Sequence, residues 1–290
     1  MKIGIGLPVL SPHAALDWAR RIDEGPFDTV TVSDRLAYDT PEPLITLAAV
    51  AGATSRVELR SQVLLAGLRD PVLAAKQIAT LDRLSDGRLS VGIGLGDRED
   101  DYEAAGARMA ERGRRLDANV ERMRAVWAAH TDLAEEVPGR VGPRPSAPGG
   151  PPLLFGGFSD AAVQRVARWG DGYLSAMVPE LSEGMFREVE SAWKAAGREG
   201  RPALVAQANT AVGPEELVEG AKERIARYYS FLDDSEAPFT GAMVADYTLS
   251  TPERVRHVLD TCGAAGADEM VFLCWSPDPG QLDVIAEALG

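Results

Sequence analysis

The chain has 290 residues and a formal net charge of −14, with 45% hydrophobic and 26% charged residues. This composition is typical of a folded globular enzyme, and the acidic balance argues against binding to nucleic acid or an anionic membrane, because both need a cationic face. Two cysteines, three histidines and the lack of a long apolar run predict a cytoplasmic protein without a disulfide scaffold, bound metal or membrane span.

Apolar residues recur along the chain with strand and helix periods in alternation. We predict eight strands, at residues 2–9, 27–32, 57–65, 89–95, 153–155, 173–177, 204–209 and 270–274. The predicted helices cover residues 14–22, 43–54, 71–84, 109–129, 160–169, 183–196, 214–231, 252–265 and 278–289. Two irregular excursions, around 130–150 and 233–250, interrupt this alternation without ending it.

Eight strand–helix units predict a (β/α)8 TIM barrel, an α/β fold that forms a single domain over residues 1–290. An open doubly wound sheet also alternates strands and helices, but it usually has fewer strands. In a barrel the active site lies where the strands end and the following loops begin. Candidate residues are therefore those at the carboxyl ends of the predicted strands.

Glycines occupy every second position at the end of the fourth strand, at Gly92, Gly94 and Gly96. They do not form a dinucleotide-binding fingerprint, because Asp97 or Glu99 stands where its last glycine would be. Alternate residues of a strand share one face, so these glycines predict a bare strip on which a flat ring could lie. A packed corner filled by a neighbouring side chain is the alternative, and the spacing does not decide between them.

The fifth strand ends in Gly156, Gly157, Phe158 and Ser159, just before the next helix. Glycines allow close approach to the backbone, and a serine hydroxyl beside the first N–H groups of a helix can bind an anion. This turn therefore predicts a phosphate site. An ordinary serine N-cap after a glycine turn is the alternative.

Charged residues follow the second and fourth strands. Asp34 and Arg35 end the second strand, where they are site candidates or simply an ion pair with each other. Asp97 ends the fourth strand, and the charged run 98–101 after it is typical of a solvated loop. Trp275 ends the eighth strand and is the tryptophan best placed to face a ligand.

Several segments resemble the luciferase-like monooxygenase family, the flavin and deazaflavin enzymes related to bacterial luciferase. The most specific stretch is residues 70–89, and the glycine strand and acidic loop at 92–106 follow it directly. Further matches occur at 27–34, 151–157 and 168–173. The resemblance is specific as far as about residue 177 and beyond that rests on the barrel pattern.

The resemblance implies that reduced FMN, or alternatively coenzyme F420, binds at the carboxyl ends of the strands. Its phosphate is expected at the turn formed by Gly156, Gly157, Phe158 and Ser159. The ring is expected across strands two to four, at Ser61, Gln62, Val63, Gly94, Leu95 and Gly96. The catalytic candidates there are Asp34, Arg35 and Asp97. Relatives carry a non-proline cis peptide bond in the third strand, which here would be Gln62–Val63, give or take one residue.

Two departures from the family pattern bear on the chemistry. Many relatives have histidine after the strand-two aspartate, where this chain has Arg35. Arginine stays protonated and cannot act as a general base, although it could stabilise a developing anion or hold an anionic substrate. Bacterial luciferase has an arginine near the phosphate where this chain has Leu95, so that contact must come from elsewhere or be absent. The chain lacks a long insertion, so we expect an open pocket completed by the two excursions.

Three functions follow from the resemblance. The first is a two-component monooxygenase, in which a separate flavin reductase supplies reduced FMN for the oxygenation of a small organic substrate. The second is a coenzyme F420-dependent reductase or dehydrogenase that transfers hydride without oxygen, because Ser33, Asp34 and Asp97 resemble that branch. The third is a non-catalytic flavin-binding relative, because no indispensable acid–base residue can be named. A homodimer is expected, as is common in the family.

Overall fold

The computed structural model describes residues 1–8, 12–129, 141–176, 181–233 and 239–290. Within these residues, eight parallel strands close into a barrel in sequence order, with the last strand paired to the first. The predicted (β/α)8 barrel is confirmed, and the open-sheet alternative is wrong. The strands are β1 (Lys2–Gly6), β2 (Thr29–Val32), β3 (Glu58–Leu64), β4 (Leu89–Ile93), β5 (Leu153–Gly156), β6 (Gly172–Leu174), β7 (Ala203–Thr210) and β8 (Glu269–Cys274).

Helices connect the strands around the outside of the barrel. Those described are α1 (Pro12–Glu24), α2 (Pro43–Ala53), α3 (Pro71–Leu84), α4 (Glu99–Ala104), α5 (Arg112–Ala128), α6 (Asp160–Trp169), α7 (Ser182–Ala195), α8 (Glu215–Tyr228), α9 (Gly241–Asp246), α10 (Pro252–Ala264) and α11 (Gln281–Ala288). The short helices α4 and α9 were not predicted, because six residues are too few to show a helical period. Residues 130–140 of the first excursion and 234–238 of the second lie outside the described residues.

Local signals set where the helices begin. The Asp70 side chain accepts a hydrogen bond from the N–H of Leu73 at 2.8 Å, and Pro71 occupies the first helical position of α3. Helix α10 begins in the same way, with Thr251 as the N-cap and Pro252 after it. These caps fix the residue at which each helix begins, and therefore the residue at which the preceding loop ends.

The interior of the barrel is packed rather than open. An apolar cluster inside it consists of Leu154, Leu174, Val205 and Val271. Nearer the starts of the strands, Arg60 Nη2 donates to Glu269 Oε2 at 2.6 Å, and both side chains are buried. The barrel is therefore a filled core and not a pore.

A larger apolar core lies between the strands and the surrounding helices. Trp127, Trp169 and Trp193, which the helical pattern predicts as packing residues, are all buried in this core. None of the helices in the described ranges combines the length and the apolar character that crossing a bilayer requires.

Candidate functional site

A cavity of about 280 Å³ opens at the carboxyl ends of the strands. Its lining comes from the ends of β1 to β4, β7 and β8, together with the end of α8. Polar and charged residues of the lining include Asp34, Arg35, Gln62, Asp97 and Gln207. The location agrees with the rule that barrel enzymes build their active sites from the loops after the strands.

Arg35 is held between two carboxylates and two aromatic rings. Its Nε donates to Asp101 Oδ2 at 2.6 Å, and its Nη2 lies 3.4 Å from Asp100 Oδ1. The guanidinium carbon lies 5.3 Å from the ring centroid of Tyr38 and 5.2 Å from that of Tyr228. Its Nη1 is buried, and the Tyr228 side chain is a hydrogen-bonding neighbour of the guanidinium. The side chain is therefore a fixed cation at the cavity wall.

Asp34 has different partners from its neighbour. Its Oδ2 accepts hydrogen bonds from the N–H of Leu65 at 2.9 Å and from Arg69 Nη2 at 2.8 Å. Burial raises the pKa of the Asp34 carboxyl, and the charge of Arg69 partly opposes that rise. Asp34 pairs with Arg69 and Arg35 pairs with Asp101, so the two neighbours do not pair with each other. The predicted alternative of an ion pair between them is wrong.

The charged run after β4 folds over the cavity instead of forming a solvated loop. Asp101, at the start of α4, is buried, and its Oδ1 accepts hydrogen bonds from the N–H groups of Leu36 at 2.9 Å and Ala37 at 2.7 Å. Arg98 Nη1 donates to the carbonyl oxygen of Tyr228 at 2.8 Å. The solvated-loop prediction is wrong because these partners come from distant parts of the chain. The contacts tie the loops after β2 and β4 to α8.

Aromatic side chains form one wall of the cavity. Tyr228, Tyr229, Phe231 and Trp275 line it, and the rings of Tyr228 and Trp275 lie edge to face with centroids 5.1 Å apart. Trp275 Nε1 donates to Asn209 Oδ1 at 2.7 Å, which fixes the indole. The prediction that Trp275 lies where a ligand binds therefore agrees with its position. Burial raises the pKa of Tyr228, with Arg35 opposing that rise.

Two amides meet across the barrel at the cavity. Gln62 on β3 donates through Nε2 to Gln207 Oε1 on β7 at 2.8 Å, and both residues line the cavity. The peptide bond between Gln62 and Val63 is cis, which confirms the prediction from the family resemblance. The bond lies where the pairing of β3 with β4 shifts register, between Ser61 and Leu64.

The glycines of the fourth strand are packed against β3. A Cβ atom on Gly92 would lie 2.2 Å from the carbonyl oxygen of Ser61, and one on Gly94 would lie 2.4 Å from Cγ2 of Val63. On Gly96 it would lie 2.8 Å from a leucine of the segment after β3. The predicted bare strip is therefore wrong, and the packed corner is correct. Gly96 still lines the cavity.

The turn after β5 caps a helix, as predicted. Ser159 is the N-cap of α6, and its hydroxyl oxygen lies 3.4 Å from the N–H of Ala162. Gly157 has a φ of 137°, and a Cβ there would lie 2.8 Å from Cβ of Ala162, so the position favours glycine. The hydroxyl of Tyr173 donates to the carbonyl oxygen of Gly157 at 2.8 Å. Phe158 is exposed. Anion binding at this turn stays a prediction.

The predicted site residues fall into two groups. Those that line the cavity are Asp34, Arg35, Gln62, Val63, Gly96 and Asp97. Those outside its lining are Ser61, Gly94, Leu95, Gly156, Gly157, Phe158 and Ser159. The Ser61 hydroxyl donates to the carbonyl oxygen of Gly92 at 3.0 Å, so this side chain links β3 to β4. The cofactor-binding or catalytic role of each residue stays a prediction.

Among the cavity residues that were not predicted are Gln207, Tyr228 and Tyr229. A signal for Gln207 existed, because it and Asn209 are polar residues at alternate positions of the otherwise apolar strand β7. No comparable signal marks the two tyrosines, which become part of the cavity only because α8 ends over the barrel.

A closed (β/α)8 barrel with a charged and aromatic cavity at the carboxyl ends of its strands is typical of TIM-barrel enzymes. The model of one such family, described as luciferase-like monooxygenase, matches residues 3–269, and the chain belongs to this family. The resemblance stated from the sequence is thereby confirmed. Membership supports a flavin-type oxidoreductase, and it leaves open whether FMN or F420 is the cofactor.

The chain is similar to individual proteins of known sequence or structure. An uncharacterized protein of Mycobacterium tuberculosis is 30% identical over 210 residues, which are 71% of this chain and 74% of that protein. An F420-dependent glucose-6-phosphate dehydrogenase of Amycolatopsis mediterranei is 28% identical over 178 residues, 56% of this chain and 53% of the dehydrogenase. The structure of the monooxygenase RslO1 from Streptomyces bottropensis aligns with a TM-score of 0.76 at 23% identity, covering 100% of this chain and 98% of RslO1.

Proposed function

We propose that this protein is a two-component monooxygenase that takes reduced FMN from a separate flavin reductase and uses O2 to oxidise a small organic substrate. The observation that carries the proposal is the buried, ion-paired guanidinium of Arg35 at the cavity wall. A dehydrogenase that oxidises an alcohol needs a base to accept the hydroxyl proton, and the guanidinium that stands where many relatives have a histidine cannot serve. A fixed cation at the cavity wall is instead suited to stabilise negative charge that develops on oxygen.

The residues present fit a flavin-type cofactor. The first N–H groups of α6 have no partner within the helix and could bind a phosphate, although the space beside Gly157 is filled by Ala162. In the cavity, Gln62 Oε1 is a buried acceptor without a hydrogen-bond partner among the described residues, as expected where a polar ligand completes the site. When bound, reduced FMN would supply the electrons that activate O2.

The remaining cavity residues would position the substrate and exclude water. Tyr228, Tyr229 and Trp275 offer flat apolar faces for a small aromatic or aliphatic substrate. Asp101 would keep the guanidinium of Arg35 in place through the 2.6 Å hydrogen bond. Asp97 lies exposed at the edge of the cavity, where its carboxylate disfavours an anionic substrate.

The proposal is tested by anaerobic fluorescence titration with reduced FMN, oxidised FMN and reduced F420, followed by admission of O2. We expect reduced FMN to bind at least about tenfold more tightly than the other two. We also expect incorporation of 18O from labelled O2 into members of a panel of small phenols and ketones. Preferential binding of reduced F420 with no oxygen uptake would contradict the proposal. Binding of reduced FMN without product from any panel member would favour the non-catalytic alternative.

An F420-dependent reductase is the second candidate, and the likeness to the Amycolatopsis dehydrogenase favours it. Such an enzyme would need a proton donor near the substrate. Asp34 is the candidate, because it lines the cavity and burial raises its pKa. Under this alternative, Asp34→Asn would abolish reduction of an added acceptor by reduced F420. Under the monooxygenase proposal, the same variant should retain binding of reduced FMN.

The phosphate site has a test of its own in two neighbouring residues. Ser159→Ala removes the hydroxyl at the N-terminus of α6 and should weaken FMN more than riboflavin, which lacks the phosphate. Asp160→Asn removes a negative charge from the first turn and should strengthen FMN binding with no effect on riboflavin. Equal changes for FMN and riboflavin in both variants would mean that the phosphate binds elsewhere.

A further inference from the structure

The amide pair formed by Gln62 and Gln207 lies across the barrel interior at the cavity. The two residues come from β3 and β7, which stand opposite each other in the ring of eight strands. Their side chains meet at 2.8 Å through a single hydrogen bond. Gln62 is only 8% exposed, and its Oε1 is a buried atom with no hydrogen-bond partner in the described part of the chain.

The pair offers a defined set of remaining groups. Gln62 Nε2 donates to Gln207 Oε1, so the carbonyl of Gln62 and the NH2 group of Gln207 stay available. If Gln207 were the donor instead, the NH2 group of Gln62 and the carbonyl of Gln207 would be available. In either direction of the bond, one amide carbonyl and one NH2 group stay available to a ligand. The two glutamines together therefore present a donor beside an acceptor, whichever of them donates to the other.

Apolar side chains accompany this amide pair in the lining of the cavity. Val63, Leu273 and Val32 line the cavity near the strand ends that carry the two amides. Fixed polar groups among apolar neighbours orient a ligand in a binding site. A neutral donor–acceptor pair matches a ligand edge that carries an N–H group beside a carbonyl. A carboxylate would meet the free acceptor oxygen and a cation would meet the free NH2 group, so neither charge fits the pair.

We propose that Gln62 and Gln207 bind the imide edge of the pyrimidine ring of the flavin-type cofactor. The ring N–H would donate to the free amide carbonyl, and the adjacent ring carbonyl would accept from the free NH2 group. FMN and F420 carry the same imide edge, so the assignment holds for either cofactor. It rests on the proposed function only in requiring that a flavin or deazaflavin binds in this cavity.

The test compares FMN with N3-methyl-FMN, in which the imide N–H is replaced, by anaerobic titration of the reduced forms followed by fluorescence. We expect the wild type to bind FMN about tenfold or more tightly than the methylated analogue, because the analogue loses the hydrogen bond from the ring N–H and places a methyl group against the amide oxygen. The double variant Gln62→Met/Gln207→Met should bind both compounds with equal affinity. It replaces both partners with apolar side chains of similar length, so no single amide is left buried alone.

The control is Gln77→Met, which changes an exposed glutamine on α3 and should keep the wild-type preference. Thermal unfolding of each variant shows whether it is folded at the temperature of the titration. Equal affinity of the wild type for FMN and N3-methyl-FMN, or an unchanged preference in the double variant, would overturn the assignment while leaving flavin binding intact. Failure of the wild type to bind reduced FMN and reduced F420 would instead refute the proposed function, and this assignment with it.

If reduced F420 proves to be the ligand that binds, the same comparison uses 5-deaza-FMN and its N3-methyl derivative. The expected preference of about tenfold and its loss in the double variant are unchanged, because the imide edge is the same. A preference that persists in the double variant would overturn the assignment here as well.

Discussion

Replacing Asp101 with alanine should lower the free energy of unfolding by about 3–5 kcal/mol, because it leaves the buried charge of Arg35 without its main partner. The Asp101 side chain is 2% exposed and that of Arg35 is 5% exposed. Asp101 accepts three hydrogen bonds, from Arg35 Nε and from the N–H groups of Leu36 and Ala37. The remaining carboxylate of Asp100 lies 3.4 Å from Arg35 Nη2 and cannot replace a bond of 2.6 Å.

Asp100→Ala is the matched control, because it removes a carboxylate next to the same arginine. The Asp100 side chain is 40% exposed and pairs mainly with Arg98, so the cost should be at most about 1 kcal/mol. Asp101→Asn keeps an acceptor for the two backbone N–H groups but loses the charge. Its cost should be intermediate, about 1.5–3 kcal/mol.

Urea unfolding followed by far-UV circular dichroism, with linear extrapolation to water, measures all three variants. A double variant, Arg35→Met/Asp101→Leu, should be less destabilised than the sum of its single variants, since it removes both buried charges together. The reasoning is refuted if Asp101→Ala costs no more than Asp100→Ala. It is also refuted if the double variant is additive, because the two side chains would then not be coupled.

Three further predictions concern other parts of the structure. Gly92→Ala should lower the free energy of unfolding by at least about 2 kcal/mol, because the new Cβ meets a carbonyl oxygen of β3. The control Gly263→Ala, on open helix surface, should leave this free energy unchanged or raise it by up to about 1 kcal/mol. Urea unfolding measures both variants. Burial raises the pKa of Asp34 above its ordinary 3.8, so the stability that its bound proton contributes is lost as pH rises. Urea unfolding from about pH 4 to 7 should therefore show wild-type stability falling relative to Asp34→Asn. Tyr173→Phe should cost about 1 kcal/mol and weaken FMN more than riboflavin in fluorescence titrations, because the hydroxyl holds the carbonyl of Gly157.

The barrel could be predicted from sequence because its signals are local. Strand periods, helix periods and the caps at Asp70 and Thr251 each depend on a few neighbouring residues, and the strands pair in the order in which they occur. The helix α4 could not be predicted in this way. Its stretch Glu99–Ala104 is mostly acidic, and the reason it is ordered is the burial of Asp101 against groups that follow β2.

The sequence predicted where several site residues lie in the barrel, but not which residues they contact. The rule that active sites follow barrel strands placed Asp34, Arg35 and Asp97 at the right rim. It could not assign their partners, since Arg69 and Asp101 reach them from other connections of the fold. These ion-pair partners are far apart in the sequence, and no periodic pattern links them. The ion pairs can therefore be recognised only once the strands are arranged in space.

The glycines of β4 show how a correct position can be explained by the wrong mechanism. The bare-strip interpretation assigned Gly94 a direct contact with the ring, yet the space that its missing side chain leaves is taken by Val63 of β3. Val63 in turn lines the cavity, directly after the cis bond from Gln62. Gly94 therefore acts on the cavity through β3, because any side chain at 94 would displace Val63 and with it the wall next to the amide pair. Substitutions at Gly94 should accordingly alter ligand binding only by moving β3.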